Sequence, residues 1–164
     1  MKKIGIYSVL IYCLLLSCAS SSSNFEKIKS KIYTNNFSFI VNNYEARKTF
    51  SVPSGTGRIL TNSTPVTASD ENGIIVHPDR LVINLPSVDP KGKLIDGKPI
   101  TLTSENYTVA RKDLENGNIL LNFFINDNSD INLIKMEVGK GGSVDASVEG
   151  PRQNPLLYVG KILD

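Results

Sequence analysis

The residues able to do chemistry are few and scattered. His77 is the only histidine, and a triad or metal site built on it needs partners that no spacing supplies. Pro78 and Asp79 follow it directly, so His77-Pro78-Asp79 reads as a turn. Asp127-Asn128-Ser129-Asp130 sets oxygen ligands close together, as calcium loops do. It lacks the spaced acidic series and closing glutamate of an EF-hand, and a hairpin turn of turn-forming residues accounts for it. Ser54-Gly55-Thr56-Gly57-Arg58 offers amides and a guanidinium to an anion. No Lys-Ser/Thr pair closes it and no long helix follows, which leaves a glycine loop. Acid–base hydrolysis by paired carboxylates would draw on Asp70, Glu71, Asp79, Asp89 and Glu105. All stand in polar loop contexts where solvated carboxylates are expected. Tyr33, Tyr44, Tyr107, Tyr158 and Phe50 could line a carbohydrate or peptide groove, though aromatics at alternating strand positions belong more often to a core. No catalytic, cofactor-binding or metal-ligating constellation emerges, so neither an enzyme nor a cofactor is expected.

Both cysteines lie near the start, at Cys13 and Cys18. Lys2 and Lys3 precede an apolar run, Ile4 to Leu16, of about 13 residues, short of the ~20 that cross a bilayer as a helix. A basic start, a short apolar core and a small residue before a cleavage point describe a secretory signal. Leu15-Leu16-Ser17-Cys18 resembles the lipobox of bacterial lipoproteins. The resemblance implies cleavage after Ser17, a thioether-linked diacylglycerol on Cys18, and acylation, palmitate-like, of the new amino terminus. Three acyl chains exceed the two signals that stable anchoring takes. The competing reading is an ordinary signal peptide cut among the small residues Ala19 to Ser23. Ser20, rather than Asp, at the second position after the cysteine resembles the Gram-negative pattern for outer-membrane sorting. No acidic run follows Cys18, which favours the periplasmic face. The expectation is a lipid-anchored outer-membrane protein whose first partner is the membrane itself.

Removal of residues 1–17 leaves 147 residues, enough for one domain with a real core. Lys2 and Lys3 leave with the signal, so Lys+Arg falls from 18 to 16 and equals Asp+Glu. The mature chain is near neutral, and nucleic acid is not an expected partner. With Cys13 discarded and Cys18 lipidated, the domain has neither a disulfide nor a thiol nucleophile.

Residues 18–23 read as a flexible serine-rich tether. Phe25, Ile28 and Ile32 fall at helical spacing behind Asn24, a candidate cap, which predicts a short amphipathic helix packed on the domain. From Asn36 the period becomes two, with Phe37, Phe39 and Val41 on one face. Tyr44 to Arg58 is mixed. The segment Ile59 to Pro65 suits an edge strand, since proline is confined to edges. Gly73 to Val76 and Leu81 to Pro86 predict a hairpin. Val88 to Lys98 predicts a loop. Strands are predicted over 106–112, 118–125, 131–138, 143–148 and 155–163, the last with Leu157, Val159 and Ile162 inward. Short strands joined by Gly, Pro, Asn and Asp turns argue for a mainly β, antiparallel domain over 24–164 with one short N-terminal helix. A β-sandwich and a partly open barrel both satisfy this pattern.

Several of these pieces together are familiar. Asn36-Phe37-Ser38-Phe39 opens the domain, Leu85-Pro86 ends a mid-chain strand, and Tyr107-Thr108-Val109 follows the central loop. The chain closes on Arg152-Gln153-Asn154-Pro155-Leu156-Leu157-Tyr158-Val159-Gly160-Lys161-Ile162. Over roughly Phe25 to Asp164 this resembles domain-of-unknown-function family 4251, small lipoproteins of Gram-negative bacteria. Where family members carry an aromatic-glycine segment after Leu-Pro, this chain has Ser87-Val88-Asp89-Pro90-Lys91-Gly92. The resemblance implies no activity and no catalytic residue. It leaves a non-enzymatic envelope module that binds a protein or glycan, with hydrolysis of envelope glycans or peptides through Asp70, Asp79, Asp89 and Glu105 as the alternative.

Overall fold

The computed structural model describes residues 19–46, 64–65, 72–87, 99–151 and 153–163. The leader 1–17, Cys18, the glycine loop 54–58, Phe50, Asp70, Glu71 and Asp89 lie outside the described residues.

Among the described residues, one helix, α1 (Ala19–Tyr33), precedes ten strands of a single sheet. The chain is helical from the first described residue, Ala19, so the serine run expected as a tether is helical here and Asn24 stands inside the helix rather than at its cap. Serine is a weak but tolerated helix residue, and a docked turn downstream supplies the nucleus from which the helix extends. Ile28 and Ile32 are buried and join the core, with Phe25 packed beside them, as the helical spacing predicts. The helix stops in a Schellman motif. Asn35 takes the left-handed conformation (φ 53°), Asn36 N–H donates to Lys31 O at 2.9 Å, and Asn35 N–H donates to Ile32 O at 3.2 Å.

The strands are β1 (Phe37–Ala46), β2 (Thr64–Pro65), β3 (Gly73–Val76), β4 (Leu81–Leu85), β5 (Ile100–Ser104), β6 (Tyr107–Asp113), β7 (Ile119–Ile125), β8 (Leu133–Val138), β9 (Ser143–Gly150) and β10 (Gln153–Ile162). Their order is β5-β4-β3-β1-β10-β9-β8-β7-β6, all antiparallel, with the two-residue β2 added beside β1. The sheet curls into a nearly closed barrel, which decides between the two architectures that the sequence pattern leaves open.

Strand β1 organises the sheet. It pairs with β10 along one side and with β3 and then β2 along the other. Phe37, Phe39 and Val41 point inward; a bulge between Val41 and Asn43 then resets the alternation so that Tyr44 is the next buried residue. One extra residue in a strand bends it and flips its phase, which is why Tyr44 to Ala46 reads as mixed although it continues the strand. Gly73 and Gly160 flank β1 here, paired to Ile40 and Val41. A Cβ on Gly73 would lie 2.0 Å from the Phe39 carbonyl oxygen, and one on Gly160 1.8 Å from that of Ile40.

The core fills the barrel. Ile119, Leu121, Phe123 and Ile125 of β7 meet Ile134, Met136 and Val138 of β8, and Phe123 packs against Phe37 and Tyr107 with ring centroids 6.4 and 6.0 Å away. Each such side chain contributes roughly 1.5–3 kcal/mol on burial. In β10 Tyr158, Gly160 and Ile162 face the barrel core, Ile162 as expected, while Leu157, buried as expected, and Val159 stand on the opposite face. The pairing of Tyr158 with Ala146 and of Gly160 with Val144 fixes this phase. The hairpin β3–β4 forms as predicted, with Val76 opposite Leu81. Strand β5, unforeseen in the pattern, extends that hairpin on its far side.

Candidate functional site

Among the described residues the barrel has one seam, between the terminal strands β5 and β6, which do not pair. They are consecutive, linked only by Glu105-Asn106, a length that ordinarily gives a hairpin. Asp127, just past β7, sets the corner instead. Its carboxylate accepts from Ser104 Oγ at 2.6 Å and from the amides of Glu105 and Asn106 at 3.0 and 3.1 Å. These bonds, that from Ser104 foremost, hold its pKa below the usual carboxylate range. Asn128 Oδ1 accepts from the amides of Asp130 and Ile131, both at 2.8 Å. The oxygen-rich segment 127–130 is thus a hydrogen-bonded turn that grips the β5–β6 corner.

Beyond the corner, side chains of β6 reach neighbouring elements. Tyr107 Oη donates to the His77 carbonyl at 2.5 Å, and an Arg111 amine donates to Asn35 Oδ1. At the end of β6, Asp113 accepts from Lys29 Nζ at 2.8 Å and from Tyr33 Oη at 2.9 Å. Lys29 and Arg111 also stand over the Tyr33 ring, 5.6 and 5.9 Å from its centroid. The bond from Lys29, then that from Tyr33, lowers the Asp113 pKa; the bond to Asp113 raises those of Lys29 and Tyr33. A phenol held in its neutral form and a cation already paired are poor catalysts. This cluster ties α1 to the barrel: with Lys31 Nζ bonded to Leu163 O at 3.2 Å and Ile28 against Gly142, the helix lies across one end of the barrel.

The sequence candidates disperse in the structure. His77 donates its amide to Arg80 O at 2.9 Å in the β3–β4 turn, as the turn reading requires. Asp79 is exposed and pairs with Arg80 at 3.3 Å. Glu105 is exposed at the corner. Tyr44 and Tyr158 are core residues rather than groove linings, while Tyr33 is exposed on α1. Among the described residues, no group of three or more His, Cys, Asp or Glu side chains is placed to hold a metal. Sequence reasoning missed Asp113, Arg111 and the Asp127 grip. The i, i+4 spacing of Lys29 and Tyr33 hinted at a shared partner, but nothing local identifies a residue 80 positions away.

The remaining feature is on the outside of the barrel. Where β1, β3 and β4 run side by side, a shallow, mostly apolar groove of about 70 Å³ lies over Gly73, with Ile40, Ile75, Val82 and Leu163 among its walls. Ile75 and Leu163 remain 39% and 36% exposed. The groove admits one aliphatic side chain and is far below the ~300 Å³ of a small-molecule pocket. Next to it runs the outer edge of β5.

A barrel-like antiparallel sheet, capped at one end by a helix and presenting an apolar outer face, is the class of protein that this geometry defines. The chain belongs to the family described as Domain of unknown function (DUF4251), whose family model matches residues 19–162. It is similar in fold to the crystal structure of a DUF4251 family protein from Bacteroides eggerthii DSM 20697, with a TM-score of 0.64 and 16% identity over 88% of this chain and 90% of that one. No curated protein matches.

Proposed function

We infer that this protein is a lipid-anchored envelope module, held at the periplasmic face of the outer membrane through Cys18, that binds another envelope protein or a glycan without catalysing a reaction. The observation that carries the reading is that the chain is already helical at Ala19, the residue after Cys18, and that this helix docks on the barrel through Ile28 and Ile32. From Ala19 to Ile28 the helix rises about 14 Å at 1.5 Å per residue, so a lipid on Cys18 would be joined to the barrel through a helix rather than a loose chain. Of the carboxylates on which hydrolysis would draw, Asp79 and Glu105 are exposed in two separate turns, Asp79 beside Arg80, which favours binding over hydrolysis. Fractionation of cells fed labelled palmitate tests the anchor. The parent chain is expected labelled and in the membrane fraction, and Cys18→Ala unlabelled. A parent chain unlabelled in the culture supernatant contradicts the reading.

A further inference from the structure

We propose that the helix-capped end of the barrel docks on anionic phospholipid headgroups, a step that rests on the anchor at Cys18. Lysines gather at that end. Lys27 and Lys31 stand one turn apart on α1, and Lys31 Nζ donates to Leu163 O at 3.2 Å. Lys161 lies two residues before Leu163. Ile162 N–H donates to Gly142 O at 2.8 Å, and Gly142 lies against Ile28 of α1, which brings in Lys140 from the same turn. Lys112 adjoins Asp113, the carboxylate that holds Lys29 and Tyr33. Lys27, Lys112, Lys140 and Lys161 are exposed and Lys31 is half-buried. None of these five pairs with a carboxylate among the described residues, whereas Lys29 and Lys135 do. Against them stand exposed Glu26 and Glu115, and Asp164 beyond Leu163 in the sequence, so lysines are in excess. Unpaired cations held together repel one another, and an anionic surface relieves the repulsion.

Across the whole chain the charges nearly balance, 18 Lys+Arg against 16 Asp+Glu, so the excess is matched elsewhere. Glu105, Asp127 and Asp130, all exposed, gather at the β5–β6 corner. That corner and Asp113 lie at opposite ends of β6, about 20 Å apart at ~3.3 Å per residue. The position of Cys18 singles out the membrane as the occupant of the lysine end. Cys18 precedes Ala19, and the helix that follows is docked through Ile28 and Ile32. An anchored Cys18 therefore brings a bilayer to the end that α1 covers, and the charges choose the face. Lysines toward the phosphates attract, while the carboxylate corner in that place repels. Tyr33 and Leu163, 48% and 36% exposed, belong to the same end, and a tyrosine among lysines suits a headgroup region.

Cys18 is the only cysteine in residues 18–164, so that chain couples through it to a maleimide lipid whether or not cells acylate it. Vesicles of phosphatidylethanolamine with one quarter phosphatidylglycerol are compared with vesicles of phosphatidylcholine alone. Brief acetylation and mass spectrometry read each lysine. On the anionic vesicles Lys27, Lys140 and Lys161 are expected to react several-fold more slowly than on the neutral ones, and Lys135 of β8 at an unchanged rate. About 1 M salt, which screens beyond about 3 Å, removes the protection. Untethered chains with Cys18→Ser are expected to co-sediment with the anionic vesicles. Adding Lys27→Gln, Lys140→Gln and Lys161→Gln weakens that binding at least tenfold at an unchanged melting temperature, and Glu105→Gln does not weaken it. Equal reactivity of the three lysines on both kinds of vesicle overturns the proposal. So does a triple variant, folded by circular dichroism, that binds as its Cys18→Ser parent does. Palmitate labelling in cells reads the anchor separately: a labelled chain whose lysines stay unprotected keeps the anchor and loses the docking.

Discussion

The hydroxyl of Tyr158 in β10 donates to the carbonyl of Pro86, just past the end of β4, at 2.9 Å across 72 residues of sequence. Both groups are buried. The bond joins the closing segment of the chain to the Leu85-Pro86 pair, two of the segments on which the family resemblance rests. Burial drives the Tyr158 pKa well above the ordinary phenol range, so the hydroxyl stays a donor at any physiological pH. Tyr158→Phe leaves the Pro86 carbonyl buried without this donor, which costs about 1–3 kcal/mol. Urea unfolding midpoints of parent and variant measure it, and a variant as stable as the parent contradicts the assignment.

The clasp between α1 and β6 has a pH signature. The folded state depresses the Asp113 pKa, so its contribution is present above the ordinary carboxylate value near 4. It is lost as pH falls through the lowered folded value. Asp127 follows the same sign. Lys29 is raised, so its contribution is present below about pH 10.5 and fades as pH rises through the raised value. Asp113→Asn is expected to flatten, though not abolish, the loss of stability below about pH 4, because Asp127 remains. Urea midpoints for both proteins from pH 7 to pH 2 give the comparison; superimposable curves contradict the clasp.

The close approach of β1 to its neighbours makes Gly160 a backbone requirement. Gly160→Ala places a methyl group 1.8 Å from the Ile40 carbonyl oxygen, and β1 must move. Strain of this kind in a core strand costs more than about 2 kcal/mol. Gly141, where nothing lies within 4 Å of an added Cβ, is the matched control, and Gly141→Ala is expected to fall within ~0.5 kcal/mol of the parent. Thermal melts of both variants separate a steric cause from a general effect of glycine replacement.

Ile32 is fully buried beneath α1. Ile32→Ala removes three methyl or methylene groups from a packed site and is expected to cost about 2–5 kcal/mol. Hydrogen exchange of α1 amides locates the loss: in the variant α1 exchanges faster than β7. Uniform acceleration through the barrel would mean that the helix is not a separately docked element.

Asp127 spends its carboxylate on Ser104, Glu105 and Asn106. Millimolar calcium is therefore expected to leave the melting temperature of the parent unchanged, while Asp127→Ala lowers it. A calcium-dependent rise in the parent would restore the metal-loop reading of segment 127–130.

Much of the fold was legible where one periodicity acts alone. Phe37, Phe39 and Val41 recur at every second position and form the inward face of a strand, and the apolar run Ile119 to Ile125 is a strand as well, its inward face Ile119, Leu121, Phe123 and Ile125. The reading lost its phase where a tertiary device intervenes. The bulge at Asn42 shifts Tyr44, and the glycine at position 160 leaves an inward position empty, so Leu157 and Val159 look like the apolar face. Strand β5 is not legible because Ile100-Thr101-Leu102-Thr103 follows a stretch of sequence rich in Pro and Gly and gains its place by pairing with β4. The seam was illegible for another reason. Asp113 and Asp127 act on partners 84 and 23 positions away, and local composition gives such residues the look of solvated turn carboxylates.

The account stands most directly on the chemistry of one sulfur. Mass spectrometry of the amino-terminal peptide of the protein, purified from membranes of cells that process it, reads that chemistry. The predicted peptide begins at Cys18 and carries the mass of a thioether-linked diacylglycerol with an amide-linked acyl chain. An unmodified peptide that begins at any other residue contradicts the lipid anchor.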